Sequence, residues 1–209
     1  MAERVVLFLD YQNIYKGART CFHDLHAPHM SGQISPLLLG EYLIASSPYE
    51  RELEEVRVYR GRPDASHDPK GYAACTRQID VWQQSSRVTV ITRALRYPYG
   101  WPHQSQPGEK PQEKGIDVAL AIDFVALAIQ GRYDVGILMS TDTDLKPALE
   151  AVVEFGRGNG GKPRVEVAAW SGSGMHNRRL AIRQKNLWCH WLDEQVYQQV
   201  KDVTDYSKA

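Results

Sequence analysis

Two apolar runs in this chain each end on acid. Val5-Val6-Leu7-Phe8-Leu9 runs into Asp10, and Val135-Gly136-Ile137-Leu138-Met139 runs into Ser140-Thr141-Asp142-Thr143-Asp144. A third carboxylate, Asp117, stands at the mouth of the most hydrophobic helix-like segment, Ile116 to Asp123. Short buried strands of parallel sheets read as continuous apolar runs, and α/β folds place ligands beyond their carboxyl ends. Carboxylates gathered there, with no cation adjacent to them in sequence, repel one another unless protonated or bridged. A hard divalent cation such as Mg²⁺ is the usual solution. The pattern points to a metal site and to phosphate chemistry.

Each acid also has a plainer structural reading. Asp10 sits between a strand and a helix, where aspartates often cap; alternatively Asn13, three residues on, orients a carboxylate or a metal-bound water. Asp142 and Asp144 could also cap, yet a helix start needs only one cap, so two acids one residue apart are the more specific signal. Asp117 lies where the helix macrodipole favours negative charge by about 0.3–1 kcal/mol. Its apolar neighbours put it at the edge of the core, where an unpaired carboxylate costs several kcal/mol and needs a partner. Asp123 follows six residues later, about 240° around a helix, so it cannot share that face and reads as structural.

The elements that must position these acids alternate. Strand-like runs fall at about Arg4–Asp10, Glu55–Arg60, Arg87–Thr92, Asp134–Ser140 and Arg164–Trp170. Helix-like stretches fall at about Tyr11–Cys21, Pro36–Ala45, Pro69–Gln84, Gly115–Gln130, Asp144–Phe155 and Met175–Gln184. Alternation of this kind implies βαβ units with right-handed crossovers. The expected fold is a three-layer α/β/α domain around a mainly parallel sheet of about five strands. Thr143 or Asp144 is expected to cap the fifth helix, with Pro147 in its first turn. Segment Gly115–Gln130, apolar on nearly all sides, reads as a helix packed centrally between layers.

The 209 residues suit one domain. Twenty-five basic and 25 acidic side chains leave a formal net charge of zero, so any binding of nucleic acid has to use local patches. Three dispersed cysteines (Cys21, Cys75, Cys189) argue against a disulfide framework or a zinc ribbon. No signal-peptide pattern and no apolar run of about 20 residues appears. The expected setting is soluble and cytoplasmic, with no membrane contact.

Two segments break the alternation. The insert at 97–115 is rich in proline and glycine, and loops of this length tend to be lids or disordered inserts. In and just before it, Arg93, Arg96, Lys110 and Lys114 interleave with Tyr97, Tyr99 and Trp101, a composition that suits base stacking at about 1–3 kcal/mol per base or a local satellite core. The C-terminal extension, 186–209, has room for a short edge strand and a last helix. Its Trp188, Trp191 and Tyr197 could line the interface of a homodimer.

Rival motifs carry less. Gly156 to Pro163 imitates a phosphate-binding glycine loop, but Pro163 replaces the hydroxyl residue and the segment runs from helix to strand, the wrong order. Ser171-Gly172-Ser173-Gly174 precedes Arg178, Arg179 and Arg183, a setting for an RNA phosphate or a plain glycine turn with a solvated basic face. Cys21, His23, His26 and His29 lack a recognisable zinc spacing and read as an exposed loop.

The set Phe8 to Asn13, Lys114 to Asp123 and Leu138 to Asp144 resembles the NYN domain family, a group of PIN-like nucleases, with all three motifs in family order from Arg4 to about Trp170. The resemblance implies a metal-dependent endoribonuclease for single-stranded or structured RNA, with Mg²⁺ or Mn²⁺ held by Asp10, Asp117, Asp142 and Asp144 and with Asn13 beside them. Arg93, Arg96, Lys114, Arg178 and Arg179 are the candidate RNA contacts. Thr141 departs from the family, where glycine is common, and a β-branched residue there would resist a positive φ. Two alternatives stay open: a non-catalytic RNA-binding module of the same fold, and a nucleotide-sugar transferase using Asp142 and Asp144. The transferase reading leaves Asp10 and Asp117 without a role. A phosphatase reading of Asp10 fails because Gln12 stands where its second aspartate belongs.

Overall fold

Residues Val5 to Leu9 are at most 1% exposed, as a strand covered on both faces must be. They form the centre of β1 (Glu3–Asp10) in a computed structural model that describes residues 1–102, 108–172, 178–183 and 185–208. The remaining elements are α1 (Tyr11–Phe22), α2 (Pro36–Ala45), β2 (Arg51–Arg62), α3 (Pro69–Trp82), β3 (Val88–Ala94), α4 (Ile116–Ile129), β4 (Val135–Met139), α5 (Lys146–Gly158), β5 (Arg164–Trp170), β6 (Trp188–Leu192) and α6 (Glu194–Val200). A 3-10 turn at Thr143–Leu145 precedes α5.

Among the described residues the strands form one six-stranded sheet in the order β3-β2-β1-β4-β5-β6, every neighbouring pair parallel. The sixth strand is the short edge strand foreseen in the C-terminal extension. The chain therefore builds one half of the sheet outward from β1, then returns to build the other half outward from β4. The junction between β1 and β4 is a topological switch point, where α/β sheets open a crevice at their carboxyl ends.

Strand alternation divides the core in two. Val5, Leu7 and Leu9 face a layer formed by Ile14 and Ala18 of α1, Leu39 and Leu43 of α2, and Val196 and Val200 of α6. Val6 and Phe8 face Leu120 and Phe124 of α4 and Leu149 and Val152 of α5. The rings of Phe8 and Phe124 meet edge to face, with centroids 4.9 Å apart, a geometry favoured by the ring quadrupoles.

Several expectations need correction. Helix α4 is not central: Val118, Ile122 and Ile129 are 53%, 60% and 61% exposed. Its Ile116, Leu120, Phe124 and Ala128, four residues apart, supply the buried stripe, and the sheet order leaves it in an outer layer with its far side bare. Strand β2 starts four residues earlier than expected because its first half, Arg51–Glu55, is polar and only partly covered. The expected helix at Met175–Gln184 does not form over 178–183. There Leu180 is drawn into the core and the Arg179 guanidinium donates to the Leu187 carbonyl, which pins an irregular segment; Met175, His176, Asn177 and Gln184 lie outside the described residues. Asp142, not Thr143 or Asp144, provides the cap that starts the turn leading into α5.

The base of the insert is closed by a backbone pair between Arg96 and Gln112, with N–H···O distances of 2.8 and 2.9 Å. Among the described residues no helix is long and apolar enough to cross a membrane.

Candidate active site

Asp10 ends β1 and caps α1, so the plain reading and the chemical one apply to the same side chain. Its Oδ1 accepts the Asn13 N–H at 3.2 Å, and its Oδ2 accepts the Ser140 hydroxyl at 2.9 Å. Ser140 is buried and in turn accepts the Asp142 N–H at 3.0 Å. Asp142 Oδ1 then accepts the Asp144 N–H at 3.0 Å. A continuous chain of hydrogen bonds thus links the ends of the two central strands. Burial pushes the Asp10 carboxyl up to about 6, with Ser140 and Asn13 opposing the rise and the charges of Glu113 and Asp142 adding to it.

Asn13 does something different from what its sequence position suggests. Its Oδ1 is occupied by Thr141, which donates both its backbone N–H and its hydroxyl. No non-glycine residue among those described has a positive φ, so Thr141 fits the turn without strain. The residue that departs from the family pattern supplies a hydrogen bond that glycine cannot.

Asp117 is the second residue of α4, half-buried behind Gly115, whose φ of 75° favours glycine. Asp10, Asp117, Asp142 and Asn13 line one cleft of about 350 Å³ with Glu113, Lys16 and Lys114. Asp144 is exposed and does not line it. Sequence reasoning missed Glu113 and Lys16. Glu113 stands four residues before Asp117, but in a stretch dominated by proline and glycine. Its carboxylate accepts the Gly61 N–H, and a Cβ on Gly61 would stand 2.7 Å from its Oε1; burial raises its pKa. Lys16 sits three residues after Asn13, a helical spacing that offered the only signal.

The four aspartates do not close on one point. Among the described residues no three His, Cys, Asp or Glu side chains stand close enough to enclose an ion. The donor set nevertheless fits Mg²⁺ or Mn²⁺. It is all oxygen, it contains a desolvated carboxylate, and Mg²⁺ is commonly held by one or two carboxylates with water completing its shell.

Asp123 is structural, as its helical position implied: its Oδ2 accepts from Arg57 and from the Tyr59 hydroxyl, each at 2.8 Å. Among the candidate RNA contacts, Arg93 and Arg96 are exposed and Lys114 lines the cleft. Arg178 lines an adjoining groove of about 190 Å³ with Asn13, Lys16 and Trp170. Arg179 is committed to Leu187 and to Asn186 Oδ1. Tyr97 belongs to a satellite cluster, stacked 4.4 Å from His67 with its hydroxyl accepting the Asp64 N–H, whereas Tyr99 is 93% exposed. Ser173 and Gly174 lie outside the described residues.

Among the described residues, Cys21, His23, His26 and His29 join no metal cluster: His23 pairs with the Tyr197 hydroxyl and His29 with Asp205. Tyr197 is itself buried against Gly32, so of the three aromatics foreseen at an interface only Trp188 and Trp191 are exposed.

The profile of a family described as the NYN domain matches residues 4–162. No curated protein matches. One matching solved structure is the crystal structure of a protein of unknown function from Vibrio parahaemolyticus. It is 17% identical, covers 98% of this chain and 95% of its own, and has a TM-score of 0.46.

Proposed function

The chain belongs to the NYN domain family, whose fold is PIN-like, and on that premise we propose that it is a divalent-metal-dependent endoribonuclease. The observation that carries the reading is the cleft at the switch point, which Asp10, Glu113, Asp117 and Asp142 line together with Lys16 and Lys114. The family is generally one of ribonucleases, and phosphodiester hydrolysis is the chemistry that acidic clefts with cationic rims serve.

Asp10, Asp117 and Asp142 would hold the Mg²⁺ or Mn²⁺, with Asp144 free to join from outside. A divalent ion there supplies an activated water and offsets charge growing on the phosphoryl oxygens. The protein's own part is positional. Ser140 and the Asn13 N–H orient Asp10, and Asn13 braces the loop carrying Asp142. Lys16 and Lys114 draw the RNA backbone to a chain with no net charge.

The absence of a closed ligand group among the described residues favours, as second reading, an RNA-binding module without turnover. One assay separates the two. Labelled RNA is incubated with the protein in EDTA, Mg²⁺ or Mn²⁺, alongside the Asp10→Asn variant. Shortening of the RNA only with metal, lost in the variant while its melting temperature holds, is the expected result. A mobility shift with no shortening under any metal would leave the binding module.

A further inference from the structure

Strand β6 closes one side of the sheet, with no strand beyond it among the described residues. Its sequence, Trp188-Cys189-His190-Trp191-Leu192, holds no lysine or proline, the residues with which edge strands usually discourage further pairing. Trp188 is 62% exposed and Trp191 is 45% exposed. They stand three residues apart, so strand alternation puts one on each face of the edge. Both rings gain cover only from something added alongside the strand.

The backbone fixes how a neighbour would pair. The Leu192 carbonyl accepts the Ser171 N–H at 2.8 Å, so Leu192 turns its peptide groups toward β5. Successive residues of a strand turn these groups to opposite edges. Trp188 and His190 therefore also face β5, and Cys189 and Trp191 face outward. An antiparallel copy of β6 centred on His190 sets Cys189 opposite Trp191 and Trp191 opposite Cys189. Each is then a pair that exchanges both N–H···O bonds, and every outward group of the two residues finds a partner.

The flanks select a second copy of this chain over an unrelated extended segment. Exposed Arg183 and Lys185 precede β6, and exposed Asp193 and Glu194 follow it. Antiparallel self-pairing lays the basic flank of each copy beside the acidic flank of the other, and the two-fold axis repeats the contact. A parallel arrangement would bring like charges together.

We propose that β6 is the interface of a homodimer in which two copies pair edge to edge, antiparallel and in register about His190, joining their six-stranded sheets into one. The Asp10 cleft lies at the junction of β1 and β4, with β5 between it and β6, so the dimer stands apart from the nuclease reading.

Sedimentation equilibrium of the full chain from about 1 μM to about 1 mM tests it, alongside Lys185→Glu, Glu194→Lys and the double exchange. The unaltered protein is expected to dimerise within that range. Each single reversal is expected to weaken the dimer about tenfold, because the two-fold counts the altered contact twice, and the double exchange is expected to restore it. Both positions are exposed, and circular dichroism confirms that the variants are folded. A protein that stays monomeric throughout would overturn the proposal. So would a dimer indifferent to both reversals, or one that the double exchange fails to restore.

Discussion

Asn13 Oδ1 accepts two hydrogen bonds from Thr141, one from the backbone N–H and one from the hydroxyl, each 3.1 Å long. This clasp joins the first turn of α1 to the loop after β4, and so sets the distance between Asp10 and Asp142. Thr141→Val keeps the shape and removes one bond; a loss of about threefold to tenfold in kcat is expected. Asn13→Ala removes both, and a displacement of about 1 Å in a reacting group costs on the order of 10²-fold. Neither change is buried deeply enough to move the melting temperature by more than a few degrees. Single-turnover rates at saturating Mn²⁺ measure this directly; wild-type rates in a folded Asn13→Ala would mean that the loop holds without its clasp.

Lys16 is exposed and lines both the acidic cleft and the groove containing Arg178. On the nuclease reading it is therefore placed to contact the RNA strand on either side of the cut. Lys16→Ala is expected to weaken RNA binding by a similar factor for all sequences and to reduce the slope of log K against log salt by about one. Filter binding in EDTA from 50 to about 200 mM salt reads this out. An unchanged slope would move the backbone path away from α1.

Much of this arrangement is legible in the sequence, for reasons that differ by element. β1, β4 and β5 are covered on both faces, so their apolar runs announce them, and the strand ends then locate Asp10 and Asp142. β2 shows only its buried half, because Arg51–Glu55 lies on partly covered sheet and carries charge. Glu113 was illegible because a carboxylate in an irregular stretch has no period to betray it; only the close approach of Gly61 gives it a seat. Asn13 and Tyr197 show a second limit. Residue type identified polar and aromatic groups, but their partners lie 128 and 165 residues away along the chain, in Thr141 and Gly32.

Helix α4 offers the sharpest contrast between pattern and burial, since its composition is apolar on nearly all sides while only one side is covered. Leu120 is 1% exposed and Ile122 is 60% exposed. Leu120→Ala is expected to destabilise the protein by about 2–5 kcal/mol through lost contacts and a residual cavity. Ile122→Ser is expected to change stability by no more than about 0.5 kcal/mol. Urea titrations of the two variants test the assignment of faces. A large loss at Ile122 would mean that something covers the outer side of α4 in solution, a second copy of the chain being the first candidate to check by sedimentation.

Glu166 ties together three parts of the sheet far from the cleft. Its carboxylate accepts from Arg51 at 2.6 and 3.0 Å and pairs with His190 at 2.7 Å, and the three side chains are 1% to 9% exposed. Burial opposes its ionisation, but the hydrogen bonds and charges of His190 and Arg51 outweigh burial and hold the carboxyl down at about 2, from an ordinary 4.5. Because the folded value is the lower one, this carboxylate stabilises the fold above about pH 4.5, and the contribution fades as pH falls from 4.5 toward 2. A shift of this size corresponds to about 3 kcal/mol. Glu166→Gln leaves the buried Arg51 with only the longer 3.5 Å contact to Glu3 Oε2 and takes the carboxylate from His190, so a comparable loss is expected at pH 7, or a fall of about 6–12 °C in Tm for a chain of this length. The gap between the wild-type and variant melting curves should then narrow to about a quarter of its pH 7 size near pH 2.5 and close only below about pH 2, where the wild-type carboxyl protonates in the folded chain as well. Thermal melts at pH 7, 4.5, 3.5 and 2.5 decide the matter. A gap between the two proteins that stays constant across that range would assign the loss to packing of the side chain and not to its charge.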